Sequence, residues 1–180
     1  FMQCDDVQII STSPETLVKL QNGKLSTYPV AGSRPRGKTR DEDLALEQEL
    51  LQDEKELAEH NMLVDLGRND IGRLAKFGTV KVSEYQQIHR YSRIMHICSE
   101  VNGIIADGLD AFDAIQSILP AGTLSGAPKI RACQLIDEIE AEPRGIYGGA
   151  LGYIDFRGNM DTCIAIRMAV KKNNKVTVQA

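Results

Sequence analysis

Two glutamates three positions apart are the first residues whose spacing could do chemistry. Glu56 and Glu59 lie in a stretch that predicts a long helix, and side chains at i and i+3 are neighbours on one helix face. Two hard oxygen ligands on a rigid element could hold Mg²⁺ and leave positions for water and substrate. The commoner origin of such a pair is the solvated face of an acidic helix, so the spacing alone does not establish a metal site.

Other segments carry weaker signals. His96 stands among apolar residues, where a histidine is more often a satisfied core residue than a catalyst. Residues 122–129 predict a tight turn into a helix, whose N–H groups favour an anion, although the spacing is not that of a P-loop. Glycines within residues 147–153 indicate either a kinked strand or the close approach of a ligand. Arg167 interrupts an apolar run, and it either faces solvent or points inward towards an anionic partner.

The helix that carries the glutamates is predicted to begin at Thr39 and to end at Gly67. Thr39 and Glu42 have the spacing of a capping box, and glycine is a frequent residue at the C-terminal end of a helix. The apolar stripe of this helix is predicted to comprise Leu44, Leu51, Ala58 and Met62, widened by Leu50, Leu57 and Val64.

Strands are predicted on both sides of this helical region. Residues 16–20 and 24–30 flank Asn22-Gly23, a strong hairpin signal. Further strands are predicted at residues 7–10, 79–83, 147–156, 162–171 and from 176 onward. Residues 31–38 are predicted as a loop, and residues 85–99 as either helix or strand. Two further helices are predicted, one at residues 110–119 and one from a Ser125 cap to about residue 140. Strands at both ends with helices between them predict an α+β fold.

Composition excludes several classes of protein. The 180 residues carry a net charge of −4, with 42% hydrophobic and 26% charged residues, which is typical of a folded globular chain. An acidic chain without a basic run argues against nucleic-acid binding, and no apolar stretch reaches the length of a membrane span. The four cysteines, which form no CxxC pair, predict buried, reduced thiols in a cytosolic protein. The first residue, Phe1, and the strand-like end predict a piece of a longer protein.

Taken together, long segments of the chain resemble the catalytic region of the chorismate-utilising enzymes. The matching segments are residues 13–15, 29–37, 58–70, 95–97, 120–129, 147–153 and 159–167. The resemblance implies an antiparallel β-sheet sandwich with outer helices. It also implies that residues 1–180 are part of a single chorismate-binding catalytic domain, without the family's N-terminal regulatory region and the C-terminal end of the domain.

The resemblance favours the branch of the family that makes anthranilate and pyruvate from chorismate and ammonia. Ala31 stands where aminodeoxychorismate synthases typically have a nucleophilic lysine, and alanine closes a covalent route. Residues 66–70 and 123–126 also resemble the anthranilate branch. The alternatives are an aminodeoxychorismate synthase, a 2-amino-2-deoxyisochorismate synthase, against which His96 argues mildly, and a non-catalytic relic of the fold.

The resemblance implies catalytic and metal-binding roles for four residues. Glu15 matches the general acid that protonates the leaving hydroxyl, and burial near another carboxylate would raise its pKa for that role. His96 matches the residue tied to pyruvate elimination. Glu59 matches a direct ligand of Mg²⁺, and Glu56 a neighbouring, water-mediated one. In the family a further glutamate beyond Ala180 completes the metal site, so we expect these residues alone to be inactive.

Substrate contacts and partners are implied in the same way. Arg167 and Tyr147 match contacts to the side-chain carboxylate of chorismate, and Thr123 with the Gly32-Ser33 turn matches hydroxyl and backbone contacts around the substrate. Ser33 replaces the threonine usual in the family and keeps its hydroxyl. The family receives ammonia from a glutamine amidotransferase subunit or domain, which implies a hetero-oligomer or a fusion.

Overall fold

The computed structural model describes residues 1–179, which form two antiparallel sheets and five helices. The strands are β1 (Met2–Gln3), β2 (Val7–Ser11), β3 (Thr16–Gln21), β4 (Lys24–Thr27), β5 (Val30–Pro35), β6 (Lys81–Arg90), β7 (Ile94–Ile104), β8 (Ala150–Ile154), β9 (Met160–Ile164), β10 (Met168–Lys172) and β11 (Lys175–Val178). The helices are α1 (Arg40–Gln52), α2 (Glu54–Gly72), α3 (Ala111–Ile118), α4 (Gly122–Ser125) and α5 (Lys129–Ile139).

The larger sheet has seven strands and the smaller has four. In the larger sheet, β7 pairs with β6 on one side and with β5 and then β4 on the other, and the order continues through β3, β9 and β8. The smaller sheet has the order β1-β2-β10-β11. Leu151 of β8 packs on the core of the smaller sheet, formed by Ile9, Ala165 and Met168. The architecture confirms the predicted α+β class with antiparallel sheets.

The main core lies between the larger sheet and the helices α2 and α3. Its fully buried side chains include Val18, Leu25, Ile71, Val101 and Met160. Burying apolar side chains of this size contributes roughly 1.5–3 kcal/mol each. The core therefore fixes α2 against the sheet, and α2 carries the predicted metal ligands.

The predicted long helix is two helices. Asp53 breaks it with an extended backbone, and its carboxylate accepts hydrogen bonds from the N–H groups of Lys55 and Glu56 at the start of α2. The predicted end at Gly67 is wrong, because α2 continues to Gly72. Gly67 instead allows close packing, since a Cβ there would lie 3.2 Å from Thr27 Cγ2.

The predicted apolar stripe is right in part, because Leu50 and Val64 are buried and Leu57 is half-buried. Leu44, Leu51, Ala58 and Met62 are exposed. The buried apolar side chains of α1 and α2 are Leu50, Leu63, Val64, Leu66 and Ile71. The extended backbone at Asp53 separates the two helices, so the face that α2 buries need not continue the face that α1 buries.

Several boundaries also differ from the predictions. Residues 31–38 are mostly strand rather than loop, because β5 pairs with β7, and residues 85–99 fall in β6 and β7. Residues 162–171 form two strands, β9 and β10, with Arg167 between them. Ser125 ends α4 and does not cap α5, whose N-cap residue is Pro128. Strand β8 is shorter than predicted and begins at Ala150.

The structure also tests the predicted burial of the cysteines and the predicted lack of a membrane span. All four cysteines are free, but only Cys98 is buried, and Cys4 is exposed, so the prediction of four buried thiols is wrong. Among residues 1–179, no helix has the length and apolar character needed to cross a membrane.

Candidate active site

An open cleft of about 580 Å³ brings together five of the nine predicted site residues. These are Glu15, Glu59, Thr123, Tyr147 and Arg167. They come from α2, the entrance to β3, α4, the segment before β8 and the turn before β10. Residues up to 152 positions apart in sequence, Glu15 and Arg167, thus face one space.

The α2 side of the cleft presents a carboxylate. Glu59 is exposed and lines the cleft with Leu63, while Glu56 lies one turn earlier, is half-buried and packs beside Gly32. No group of three or more His, Cys, Asp or Glu side chains within residues 1–179 is arranged to hold a metal ion. Mg²⁺ demands octahedral coordination, so the two glutamates fit part of a Mg²⁺ site and do not complete one.

Glu15 lies at the entrance to β3 between the two sides of the cleft. Its backbone carbonyl accepts a hydrogen bond of 2.9 Å from the N–H of Ile164. Burial raises the pKa of the Glu15 carboxyl, and the positive charges of Arg167 and His96 oppose that rise. The direction agrees with the prediction, but the expected cause is wrong in part, because no second carboxylate contributes to it.

Arg167 is turned towards the cleft by its backbone. Its φ of 48° lies in the left-handed region, and the residues on either side of it, Ile166 and Met168, are both buried. The N–H of Thr12 donates to its carbonyl at 3.2 Å, which fixes this turn to the neighbouring sheet. Several other arginines, such as Arg34 and Arg36, form ion pairs with carboxylates, whereas in the described part of the chain Arg167 has no such partner. Its guanidinium is therefore available to an anionic ligand.

Tyr147 reaches the cleft from an irregular segment next to Arg167. Gly148 has a φ of 80°, its N–H donates to the carbonyl of Ala165 at 2.8 Å, and the N–H of Ala165 donates to Gly149 at 2.8 Å. These bonds join the segment to the turn that carries Arg167. Gly148 and Gly149 therefore allow the kinked backbone that positions Tyr147.

His96 is held by a bulge in β5. Its Nδ1 lies 3.2 Å from the carbonyl oxygen of Gly32 and 2.9 Å from Oγ of Ser33. A carbonyl oxygen can only accept, so the first contact requires a proton on Nδ1, and in the neutral ring the lone pair is then on Nε2. The bulge needs glycine, because Gly32 has a φ of 73° and a Cβ there would lie 3.0 Å from Leu50 Cδ1.

Gly32 and Ser33 thus lie against His96, and neither lines the cleft together with Arg167 and Glu59. Their predicted role as direct substrate contacts stays a prediction. Glu56 likewise lies behind Glu59 and outside the cleft lining. His96 belongs to the same neighbourhood, since its charge acts on the pKa of Glu15.

Thr123 lies on α4, a helix of four residues, and is exposed. The following helix α5 begins at Lys129, which does not line the cleft. The predicted anion site at the start of that helix is therefore not part of the cleft, and residues 122–126 line the cleft instead.

Sequence reasoning missed a buried ion pair beneath this segment. Nζ of Lys129 lies 2.9 and 2.8 Å from the two carboxylate oxygens of Asp70. Both residues fall inside matched motifs, residues 58–70 and 120–129, but no role followed from the match. The one signal in the sequence was that each of these charged residues stands inside a matched motif.

The site can bind a small molecule with two anionic groups. One side offers the carboxylate of Glu59, and the other offers the guanidinium of Arg167 and the phenol of Tyr147. Between them stands a half-buried carboxyl whose raised pKa favours its protonated form, with an imidazole nearby. A proton donor between two anion-binding regions suits acid-catalysed loss of a leaving group from a dicarboxylate.

The fold and the cleft define a class of proteins that bind chorismate. The family model described as chorismate binding enzyme matches residues 1–180, and the chain belongs to that family. Within it, the chain is 57% identical over all of its 180 residues to anthranilate synthase component 1 of Acetivibrio thermocellus and of Pseudomonas aeruginosa. It covers 36% and 37% of those two proteins, so it spans about a third of their length.

Solved structures agree with this similarity. Anthranilate synthase component I from Streptococcus pneumoniae superposes with a TM-score of 0.86 at 49% identity, over 96% of this chain and 38% of that one. The menaquinone-specific isochorismate synthase of Escherichia coli superposes with a TM-score of 0.81 at 22% identity, over 96% of this chain and 39% of that one, and shares the fold alone.

Proposed function

We propose that the parent protein converts chorismate and ammonia to anthranilate and pyruvate, the first committed step of tryptophan biosynthesis. The observation that carries the proposal is the cleft that gathers Glu15, Glu59, Thr123, Tyr147 and Arg167. Identity of 57% to proteins named anthranilate synthase component 1 supports the same reaction. Residues 1–180 are proposed to be part of a single catalytic domain.

In this proposal the two sides of the cleft hold the two carboxylates of chorismate. Arg167 and Tyr147 bind the side-chain carboxylate through charge-assisted hydrogen bonds. Glu59, supported by Glu56 one turn earlier, would hold Mg²⁺, which would neutralise the ring carboxylate. Thr123 contacts the substrate from the side of α4. A dianion held at both ends is fixed in orientation, which favours one site of attack.

Glu15 acts as the general acid. When ammonia adds to the ring carbon next to the carboxylate, the hydroxyl across the diene must leave, and hydroxide leaves poorly without a proton. Burial raises the pKa of Glu15, so a larger fraction of the carboxyl keeps the proton that this step consumes.

His96 acts in the elimination of pyruvate. Its Nδ1 donates to the carbonyl of Gly32, so in the neutral imidazole Nε2 carries the lone pair that accepts a proton as the substrate ring becomes aromatic. Gly32 and Ser33 orient the imidazole. The proposal also includes a direct contact of this turn with the substrate. Ala31 is buried and offers no nucleophile, which disfavours the aminodeoxychorismate alternative.

The parent protein is proposed to work with a glutamine amidotransferase that supplies ammonia, as a hetero-oligomer or a fusion. The name component 1, carried by the relatives, supports the existence of a second component. We place the reaction in the cytosol, which is consistent with four free cysteines.

The test uses the full-length parent protein with chorismate, Mg²⁺ and an ammonium salt at alkaline pH. Anthranilate and pyruvate in equal amounts are the expected products, detected by fluorescence and mass. A non-aromatic amine without pyruvate would assign the protein to 2-amino-2-deoxyisochorismate synthesis instead. No turnover by a folded parent protein would support the non-catalytic relic.

A further inference from the structure

The surface of α2 that carries Glu59 continues beyond the cleft. Glu59, Leu63, Leu66 and Asp70 are spaced by four, three and four residues, so they form one stripe along the helix. Glu59 and Leu63 line the cleft, whereas Leu66 and Asp70 lie under residues 119–128 and are almost fully buried. We call residues 119–128, which include α4, the wall loop.

The wall loop has little stability of its own. Its only helix, α4, has four residues, no side-chain cap and no buried residue. So short a helix does not persist without tertiary contacts. One contact is steric: Gly122 lies so close to α2 that an added Cβ would be 2.1 Å from Leu66 Cδ2. Yet the loop must hold Thr123 at a defined place in the cleft.

Lys129 closes the wall loop at its base. Its Nζ donates to both carboxylate oxygens of Asp70, at 2.9 and 2.8 Å, and to the carbonyl of Ile118 at 2.9 Å. Ile118 immediately precedes the loop and Lys129 immediately follows it. One ammonium group therefore ties both ends of the loop to a single carboxylate on α2, and all three of its hydrogens are used.

The pair is shielded from solvent, which makes it a stiff connection. The side chains of Lys129 and Asp70 are only 10% and 11% exposed. The exposed pair Arg68–Asp65, on the same helix, has side chains that are 56% and 69% exposed. Solvent screens the exposed pair far more than the shielded one.

We propose that Asp70 and Lys129 are positioning residues that fix Thr123, and with it the wall loop, relative to Glu59 at the other end of the same helical stripe. This inference rests on the proposed function, because it assigns the pair a role in chorismate binding. Neither residue lines the cleft. They set the width of the cleft by tying its loop side to the helix that carries its carboxylate.

The test compares Lys129→Met, Asp70→Asn and the double variant in the full-length parent protein, with Arg68→Met as the control. The expected result is a tenfold or greater rise in KM for chorismate in all three, a smaller change in kcat, and a KM for ammonium within about twofold of wild type. The control is expected to match wild type in each constant.

The double variant separates positioning from stability. Removing both charges leaves no buried charge without a partner, so the double variant is expected to regain most of the melting temperature lost by either single variant. A double variant with wild-type melting temperature and wild-type KM for chorismate would overturn the proposal. Should the double variant not fold, Lys129→Arg keeps the charge but changes the geometry, and an unaltered KM for chorismate in that variant would overturn it too.

Failure of this inference is distinguishable from failure of the proposed function. If wild-type parent protein does not convert chorismate, the proposed function itself is wrong. If wild type is active and the variants lose activity only in proportion to their folded fraction, the pair is a structural contact and the positioning role is wrong.

Discussion

The two sides of the cleft are built by opposite means. One side is the regular helix α2, which begins at its Asp53 cap and presents Glu59 by helical periodicity alone. The other, irregular side combines Thr123, Tyr147 and Arg167 from three separate segments, which are a four-residue helix and two segments with positive-φ residues. Local rules thus place the carboxylate, whereas contacts between distant segments place the anion-binding groups. Substitutions on the helical side should act through charge, and those on the irregular side through geometry as well.

The largest effect is expected on the helical side. Glu59→Gln in the parent protein should lower kcat/KM about a thousandfold at limiting Mg²⁺, because the substitution removes a charged metal ligand. Raising the Mg²⁺ concentration should restore part of the loss. Asp65→Asn, also exposed on α2, is the control and should leave the Mg²⁺ dependence unchanged. An unaltered Mg²⁺ dependence in Glu59→Gln would show that the helical side does not hold the metal.

Glu15, between the two sides, should control the response to pH. Its raised pKa means that the acid form is present at low pH and is lost as pH rises through that pKa, so kcat should fall on the alkaline side. Glu15→Gln should lower kcat about a hundredfold or more and remove this limb. Because the charge of Arg167 lowers the pKa of Glu15, Arg167→Leu should move the limb to higher pH. If neither substitution changed the alkaline fall of kcat, the general acid would be another group.

On the irregular side, Arg167→Gly separates charge from backbone strain. Losing a charge-assisted hydrogen bond costs about 1.5–3 kcal/mol, so KM for chorismate should rise roughly 10–100-fold. Glycine accepts the positive φ of this position without strain, so the unfolding free energy should stay within about 1 kcal/mol of wild type. The exposed Arg157→Gly is the control for chorismate binding. An unchanged KM for chorismate would mean that Arg167 faces solvent without binding substrate.

The smallest effect is expected at Ser33, which lies against His96. Ser33→Ala removes one acceptor from Nδ1 while the carbonyl of Gly32 remains, so the loss should be about fivefold, the equivalent of one hydrogen bond. The loss should fall on pyruvate elimination and release a non-aromatic amino intermediate, which mass spectrometry detects. Ser33→Thr should behave as wild type. A rise in KM for chorismate without the intermediate would instead support direct substrate contact by Ser33.

Much of the fold could be predicted from local sequence. Asn22 and Gly23 have φ values of 50° and 79°, as a two-residue hairpin turn requires, and Gln21 pairs with Lys24 beside it. The helix predicted at 110–119 is present as α3, and Asp110 caps it by accepting hydrogen bonds from the N–H groups of Phe112 and Asp113. These features depend on interactions within a few residues, which the sequence displays directly.

The same reasoning explains where prediction failed. Asp53 reads as one more polar residue of an acidic helix, and only its backbone conformation reveals the break between α1 and α2. Likewise, residues 162–171 alternate like one strand, but the turn at Arg167 is held by Thr12, which lies 155 residues earlier. No local pattern records such a contact.

The sequence by itself determined the membership of a family, the antiparallel strands with helices between them, and the presence of Glu56 and Glu59 on one helix. Only the tertiary structure decided that Glu59 faces the cleft while Glu56 lies behind it, and that Lys129 closes a loop onto Asp70. The physical reason is the sequence separation between the residues that interact. Helix caps and turns are set by neighbouring residues, whereas the cleft depends on which surfaces pack together when distant segments bury their apolar side chains.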